Sequence, residues 1–298
     1  MLGSRGSGMM VPTSIERLDP FPAVAVNLLR RMPQPADLIT ELHRILESQP
    51  SLFRETVRVL VASGRHPDEG DPELVISQVG HGALLEIILT LLVREYMRNA
   101  FHASEDRRYW QYTLACAVCC EHVADDSQET RLLAYTAGLL HDIGRLALIA
   151  TYPDRYSNLL SLTDRMFAAN DPFDVLEHER LLFGMDHFAT GAWLSAAWKF
   201  PPWLRAISGK FEDRPPAQYA RLVDTVRTGT RLAHSVGFGY LQAAPRAKIR
   251  DILKGFPHNR DQAESRDDWN LVEEHVRQKV LARLHWYAPH PGSGAAKS

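Results

Sequence analysis

Apolar residues recur at intervals of three and four along most of the chain, the spacing that places them on one face of an α-helix. One such set lies between residues 36 and 49: Leu38, Ile39, Leu42, Ile45 and Leu46. No stretch sustains for long the alternation of apolar and polar residues that is typical of a half-buried strand. The pattern therefore predicts an all-α fold built from many helices.

Prolines, glycines and polar loops divide this pattern into segments. One helix is predicted to follow Pro50, and the others cover residues 23–32, 36–49, 74–79, 84–97, 109–123, 131–152, 156–169, 174–183, 187–198, 203–207, 219–236, 244–253 and 267–284. Residues 102–108 are polar and charged and predict a junction between two subdomains.

The predicted organisation has five parts. Gly/Ser-rich tails, expected to be disordered or tag-like, occupy residues 1–14 and 289–298. Between them lie an N-terminal helical subdomain, a helical core and C-terminal helices, over residues 15–105, 106–240 and 241–288 respectively.

The amino-acid composition restricts the functional classes to which the protein can belong. The 298 residues carry 34 Lys and Arg against 36 Asp and Glu, a formal charge of −2, so no overall basic field attracts nucleic acid. No run of about 18 apolar residues and no secretory signal is evident, which predicts a cytoplasmic protein without a membrane span. Cys116, Cys119 and Cys120 lack a second cysteine pair to complete a zinc site, and we expect them to be buried and reduced.

The segment Gly138–Arg145 reads GLLHDIGR and places an imidazole beside a carboxylate within an apolar run. His141 and Asp142 would fall inside the predicted helix 131–152, where polar groups are costly unless they have partners. The identity of those partners decides whether the pair binds a metal, handles protons or supports the fold.

The segment GLLHDIG resembles the signature of the HD superfamily, and the wider sequence resembles the HDOD domain of bacterial signalling proteins. Three further segments carry the second resemblance: the proline-flanked opening at residues 18–29, the segment ILESQPSL at 45–52, and the run from Glu179 to Pro201 that includes His187. The resemblance spans roughly residues 15–240. It implies an HDOD/HD-like helical bundle with an N-terminal helical subdomain.

A catalytic HD phosphohydrolase, by the same resemblance, binds one or two divalent metals through an upstream His, the His-Asp pair and a distant Asp. Here Tyr112 stands at the upstream His position and Thr230 at the distant Asp position, and the His pair common in such sequences is replaced around residues 209–211. His141, Asp142 and His187 alone remain as residual metal candidates. We therefore expect no catalytic residue, no metal and no other cofactor.

The same residues are instead expected to form a polar cluster with a structural or ligand-binding role. Its predicted members are Tyr112, His141, Asp142, Glu179, His187 and Thr230. Within residues 177–179, neighbouring side chains point about 100° apart, so they do not converge on a metal, and Glu179 is expected to turn inward.

Three functional hypotheses follow. The first is a non-catalytic domain that binds a protein partner or a small ligand in two-component or cyclic-dinucleotide signalling, with a sensor kinase, response regulator or diguanylate cyclase as partner. The second is a metal-dependent phosphohydrolase acting on nucleotides or cyclic dinucleotides, in which a shifted alignment recruits substitutes for the lost ligands from His122, Asp125 or His178. The third is a scaffold that forms homodimers through its helical faces.

Overall fold

The computed structural model describes residues 11–67, 71–100, 103–124, 127–209, 215–241, 246–253 and 266–288. Within these ranges the chain forms helices and no strands, as the apolar spacing predicted. The helices are α1 Thr13–Glu16, α2 Ala23–Arg31, α3 Pro35–Ser48, α4 Pro50–Ala62, α5 Pro72–Val79, α6 His81–Ala100, α7 Ala103–Val123, α8 Gln128–Leu140, α9 Ile143–Thr151, α10 Pro153–Ala169, α11 Val175–Phe183, α12 His187–Ala197, α13 Pro202–Ser208, α14 Ala220–Ala233, α15 Ile249–Leu253 and α16 Arg266–Trp286.

The N-terminal helices α2 to α6 pack on one another through their apolar faces. Phe21 ties this part to the rest of the fold, because its ring lies 5.2 Å from Tyr96 on α6 and 5.5 Å from Phe200 after α12. Such edge-on ring pairs add to the stabilisation from burial alone. The N-terminal helices and the remaining helices therefore share one continuous hydrophobic core.

Helix α7 runs through the centre and packs against α8, α14 and α16. Small residues allow the close approach: a Cβ on Gly138 of α8 would lie 2.7 Å from Sγ of Cys120, and one on Gly229 of α14 would lie 2.8 Å from the Cα of Cys120. Cys116, Cys119 and Cys120 are buried and unpaired by disulfides, in agreement with their predicted role as small core residues.

The predicted helix 131–152 is wrong in one respect, because it is two helices. α8 ends at Leu140 and α9 begins at Ile143, with Asp142 at φ −105° and ψ 34°, outside the helical region. His141 and Asp142 therefore lie at a break between helices and not inside one. The break turns both side chains toward neighbouring helices and leaves them 8% and 7% exposed.

Helices α9 and α12 touch backbone to backbone. A Cβ on Gly144 would overlap the carbonyl oxygen of His187 and lie 2.5 Å from the amide nitrogen of Gly191, so only glycine fits at this position. This contact brings the start of α12 directly beside the start of α9.

Two of the sequence-based boundaries differ from the structure. Helix α7 begins at Ala103, so residues 103–108 of the polar segment are helical and the predicted boundary at 105/106 falls inside that helix. The described chain begins at Val11 and forms α1 from Thr13, so helical structure starts before the predicted boundary at residue 15. The predicted tail 289–298 and most of the tail 1–14 lie outside the described residues.

One helical stretch within the described residues, Gln128–Thr151, is long and apolar enough to cross a membrane, and 89% of its most apolar window is buried inside the fold. The bent pair α5–α6 passes the same test only if it is counted as one span with a 114° bend. Packing within the core accounts for the apolar character of the buried stretch.

Candidate functional site

The guanidinium of Arg145 lies at the centre of a buried polar cluster. Its Nε donates to Oδ2 of Asp142 at 2.5 Å, and Nη1 donates to Oε1 of Glu179 at 3.1 Å. Nη1 also donates to the hydroxyl of Tyr156 at 2.7 Å, and Nη2 lies 3.0 Å from Nε2 of His187. The three arginine nitrogens thus hold together side chains from four separate segments of the chain.

Glu179 is the second centre of this cluster. Its side chain is fully buried, and its carboxylate also accepts from Tyr156 at 2.7 Å, from the backbone amide of His187 at 2.9 Å and from Nδ1 of His187 at 2.5 Å. A buried carboxylate with this many donors is stabilised in its charged form. Glu179 therefore anchors the first residue of α12 as well as Arg145.

The pKa values of Glu179 and Arg145 follow from this packing. Burial acts to raise the pKa of Glu179, but Arg145 and His187 outweigh it and hold the pKa at about 2. Burial likewise acts to lower the pKa of Arg145, but the carboxylates of Asp142 and Glu179 and the hydroxyl of Tyr156 outweigh it, so the pKa stays well above its usual value. Both groups are charged at neutral pH, and each neutralises the other.

His141 belongs to a separate, smaller contact. Its Nδ1 lies 2.8 Å from the carbonyl oxygen of Gly138, so Nδ1 carries the proton and donates. Nε2 must then accept, and it does so from the hydroxyl of Tyr112 at 3.0 Å. Burial lowers the pKa of His141, which fits a neutral ring with one donor and one acceptor.

Local sequence explains how these side chains reach the site. Asp186 caps α12 by accepting from the amide of Ala189 at 2.9 Å, which places His187 at the first turn facing Glu179. Tyr109 on α7 donates to the backbone carbonyl of Asp142 at 2.6 Å and so supports the helix break. Asp142 and Arg145 are three residues apart, and Arg145 extends from the first turn of α9 back to Asp142.

The structure brings together five of the six predicted cluster residues in two neighbouring groups. Asp142, Glu179 and His187 meet around Arg145, while Tyr112 pairs with His141. The sixth, Thr230, donates to the carbonyl of Arg227 at 3.0 Å on its own helix. Of residues 177–179, Glu179 is the one that is buried.

A cavity of about 330 Å³ opens beside the cluster. Tyr112, Arg145 and Thr230 line it together with Arg231, His234 and Tyr240. Among the described residues that line this cavity none is acidic. Burial together with Arg246 lowers the pKa of His234. The cavity wall is therefore aromatic and basic.

The residues present do not fit the divalent metal of a catalytic HD site. Arg145 already stands between Asp142 and Glu179, and both ring nitrogens of His141 are engaged. Among the residues that the structure describes, no three His, Cys, Asp or Glu side chains are grouped to hold a metal ion. The cation that these carboxylates face is the side chain of Arg145.

Sequence reasoning missed Arg145, Tyr156 and Tyr109. Arg145 stood within the quoted motif, three residues after Asp142, and that spacing was a signal of an Asp-Arg pair. Tyr156 and Tyr109 carried no comparable signal, because each lies on another helix and reaches the site only through tertiary packing. The substitutes considered for a metal site, His122 and His178, do not contact this cluster; Asp125 lies outside the described residues.

Fold and site together define a helical domain of the HD type in which an arginine neutralises the buried carboxylates. The sequence matches the family model of the HDOD domain over residues 18–210. The chain belongs to the HDOD family. A comparison with curated proteins gave no match.

Solved structures share the fold. An HDOD domain protein of unknown function from Geobacter sulfurreducens superposes with a TM-score of 0.73 at 18% identity, over 92% of this chain and 96% of that chain. A proposed phosphohydrolase from Shewanella amazonensis SB2B gives 0.64 at 18%, over 94% and 98%. A proposed signal transduction protein from Marinobacter aquaeolei VT8 gives 0.60 at 19%, over 94% and 63%. At these identities the likeness concerns the fold alone.

Proposed function

We propose that this chain is a non-catalytic signalling domain that acts by binding a protein partner or a small ligand. The observation that carries the proposal is the position of Arg145 between Asp142 and Glu179. A metal-dependent phosphohydrolase of the HD type needs the carboxylate of Asp142 to hold a metal ion that activates water, and here that carboxylate is paired with Arg145. A guanidinium supplies positive charge but cannot lower the pKa of a bound water in that way.

The cavity beside the cluster supports ligand binding at this site. Its volume of about 330 Å³ lies at the small end of the range for small-molecule sites. Arg231, His234 and Tyr240 offer basic and aromatic groups, while Tyr112 and Arg145 connect the cavity to the buried cluster. A ligand bound there would reach the break between α8 and α9.

The setting we propose is the bacterial cytoplasm, in two-component or cyclic-dinucleotide-linked regulation. Partners of the sensor kinase, response regulator or diguanylate cyclase type would contact the helical surface, and homodimerisation is a further mode of action for that surface. The three buried, reduced cysteines fit this compartment. No nucleic acid, membrane or cofactor is part of the proposal.

Metal analysis and an activity panel test the proposal. Purified, dialysed protein should contain far less than one equivalent of manganese, iron, zinc or nickel and should not hydrolyse nucleotides or cyclic dinucleotides. Near-stoichiometric metal that disappears in His141→Ala, with the variant still folded by circular dichroism, would overturn it. Affinity capture from a bacterial lysate, with wild type and Arg231→Ala as baits, then tests whether the partner binds at the cavity surface.

A further inference from the structure

A second cavity, of about 310 Å³, lies between α7, α8 and α16 and shares no lining residue with the first. The charged and aromatic residues that line it are Glu121, His122, Arg131, Lys279, Arg283 and Trp286. Helix α16 lies outside residues 18–210, which match the family model. The cavity therefore joins helices inside the family match to a helix outside it.

Positive charge dominates this cavity. Among the described residues that line it, Arg131, Lys279 and Arg283 supply three cationic groups and Glu121 supplies one carboxylate. Arg283 forms an ion pair with Glu121 at 3.3 Å and another with Glu86 on α6. Burial raises the pKa of Glu121, which Lys279 and Arg131 oppose, and burial lowers the pKa of Arg283. An additional anion would relieve the crowding of like charges.

His122 adds a polar group that the protein leaves unsatisfied. Its Nε2 is buried and has no hydrogen-bond partner among the residues that the structure describes. Burial, followed by Lys279, His275 and Arg131, lowers the pKa of His122 to about 4. A buried polar atom without a protein partner requires an explanation, and a ligand oxygen is one that matches the surrounding charge.

We propose that this cavity binds a small phosphate-bearing anion. Once Arg283 is set against Glu121, the charges of Arg131 and Lys279 remain, and they match the charge of about −1.5 to −2 that a phosphate monoester carries at neutral pH better than the single charge of a carboxylate. Arginine side chains also bind phosphate oxygens in a two-pronged geometry. The cavity is large enough for a nucleotide-sized molecule. A bound anion would hold α16 against α7 and α8.

Calorimetric titration at low ionic strength, in a phosphate-free buffer, tests the site with three probes: inorganic phosphate, pyrophosphate and AMP. Wild type should bind at least one probe with a stoichiometry of one. Lys279→Ala should weaken that binding roughly tenfold or more, because a charge-assisted contact is lost. The side chain of Lys279 is exposed, so its removal leaves the core intact.

A control variant makes the result specific. Arg277→Ala removes an exposed charge from the same helix, two residues away, and should bind the probe like wild type. The His122 imidazole should also titrate at a higher pH in NMR spectra once the probe is bound. No saturable binding of any probe, or equal weakening by Arg277→Ala and Lys279→Ala, would overturn the proposal. Since the two cavities are separate, this failure would leave the proposed signalling function untouched.

Discussion

Replacing Arg145 with methionine tests whether the arginine neutralises the buried cluster. Methionine keeps a similar length but leaves Asp142 and Glu179, whose side chains are 6% and 0% exposed, without their cation. Holding the pKa of Glu179 at about 2, against 4.5, corresponds to about 3 kcal/mol of stabilisation at neutral pH. Breaking a buried ion pair by removing one partner costs roughly 3–5 kcal/mol. We therefore expect Arg145→Met to lower the free energy of unfolding by about 3–5 kcal/mol at pH 7.

The pKa of Glu179 determines how the destabilisation by Arg145→Met changes with pH. In the wild type the folded pKa of Glu179 is depressed, so its contribution is present above pH 4.5 and is lost as the pH falls toward 2. In the variant the carboxyl group keeps its hydrogen bonds from Tyr156 and His187 but loses the charge of Arg145, so burial is less well opposed and the pKa of Glu179 is higher than in the wild type. Mild acid therefore removes more of the buried charge from the variant than from the wild type. The difference between the two proteins should therefore shrink as the pH falls.

Urea unfolding followed by circular dichroism at pH 7 and about pH 4 measures the loss of unfolding free energy and its change with pH. Arg180→Met is the matched control: Arg180 pairs with Asp186 at 2.7 Å, but its side chain is half exposed, so its loss should cost no more than about 1 kcal/mol. A destabilisation by Arg145→Met no larger than that of the control would refute the reasoning. So would a difference that stays constant between the two pH values.

Three further predictions concern residues that hold the helices around the site in place. Gly144→Ala should abolish the native thermal transition or lower its midpoint strongly, because the added Cβ overlaps the backbone of α12. The control is Gly209→Ala, which should melt like wild type because its added Cβ would lie 3.8 Å from the nearest atom. Tyr112→Phe should lower the free energy of urea unfolding by about 1–3 kcal/mol, since it leaves Nε2 of His141 without a donor. Asp174→Ala should cost about 1 kcal/mol in the same assay by removing the cap on α11, and Asp174→Asn should restore most of it.

The helices themselves could be predicted from the sequence, because each buries one apolar face and prolines mark many of the starts. The break at 141–142 could not, since the residues on both sides are apolar and continue the helical pattern without a glycine or proline between them. Only the packing of Tyr109 and the backbone contact at Gly144 show where α8 must end.

Some of the residues that form the site could be predicted from the sequence. The motif placed His141 and Asp142 at the centre, and the family resemblance placed Glu179 and His187 nearby. The role of Arg145 depends on Glu179, which is 34 residues away in sequence, so no local pattern could reveal that the arginine holds both carboxylates. The cavity at α16 was equally hidden, because its lining combines the neighbouring helices α7 and α8 with α16, which lies far from them in the chain.

The arginine at the centre of the cluster also sets how the domain responds to its surroundings. A cation that belongs to the chain is present from the moment of translation, whatever the supply of trace elements, and no chelator can extract it. The fold should therefore keep the same melting temperature in EDTA and in excess manganese. We expect assembly of the core to be independent of metal homeostasis.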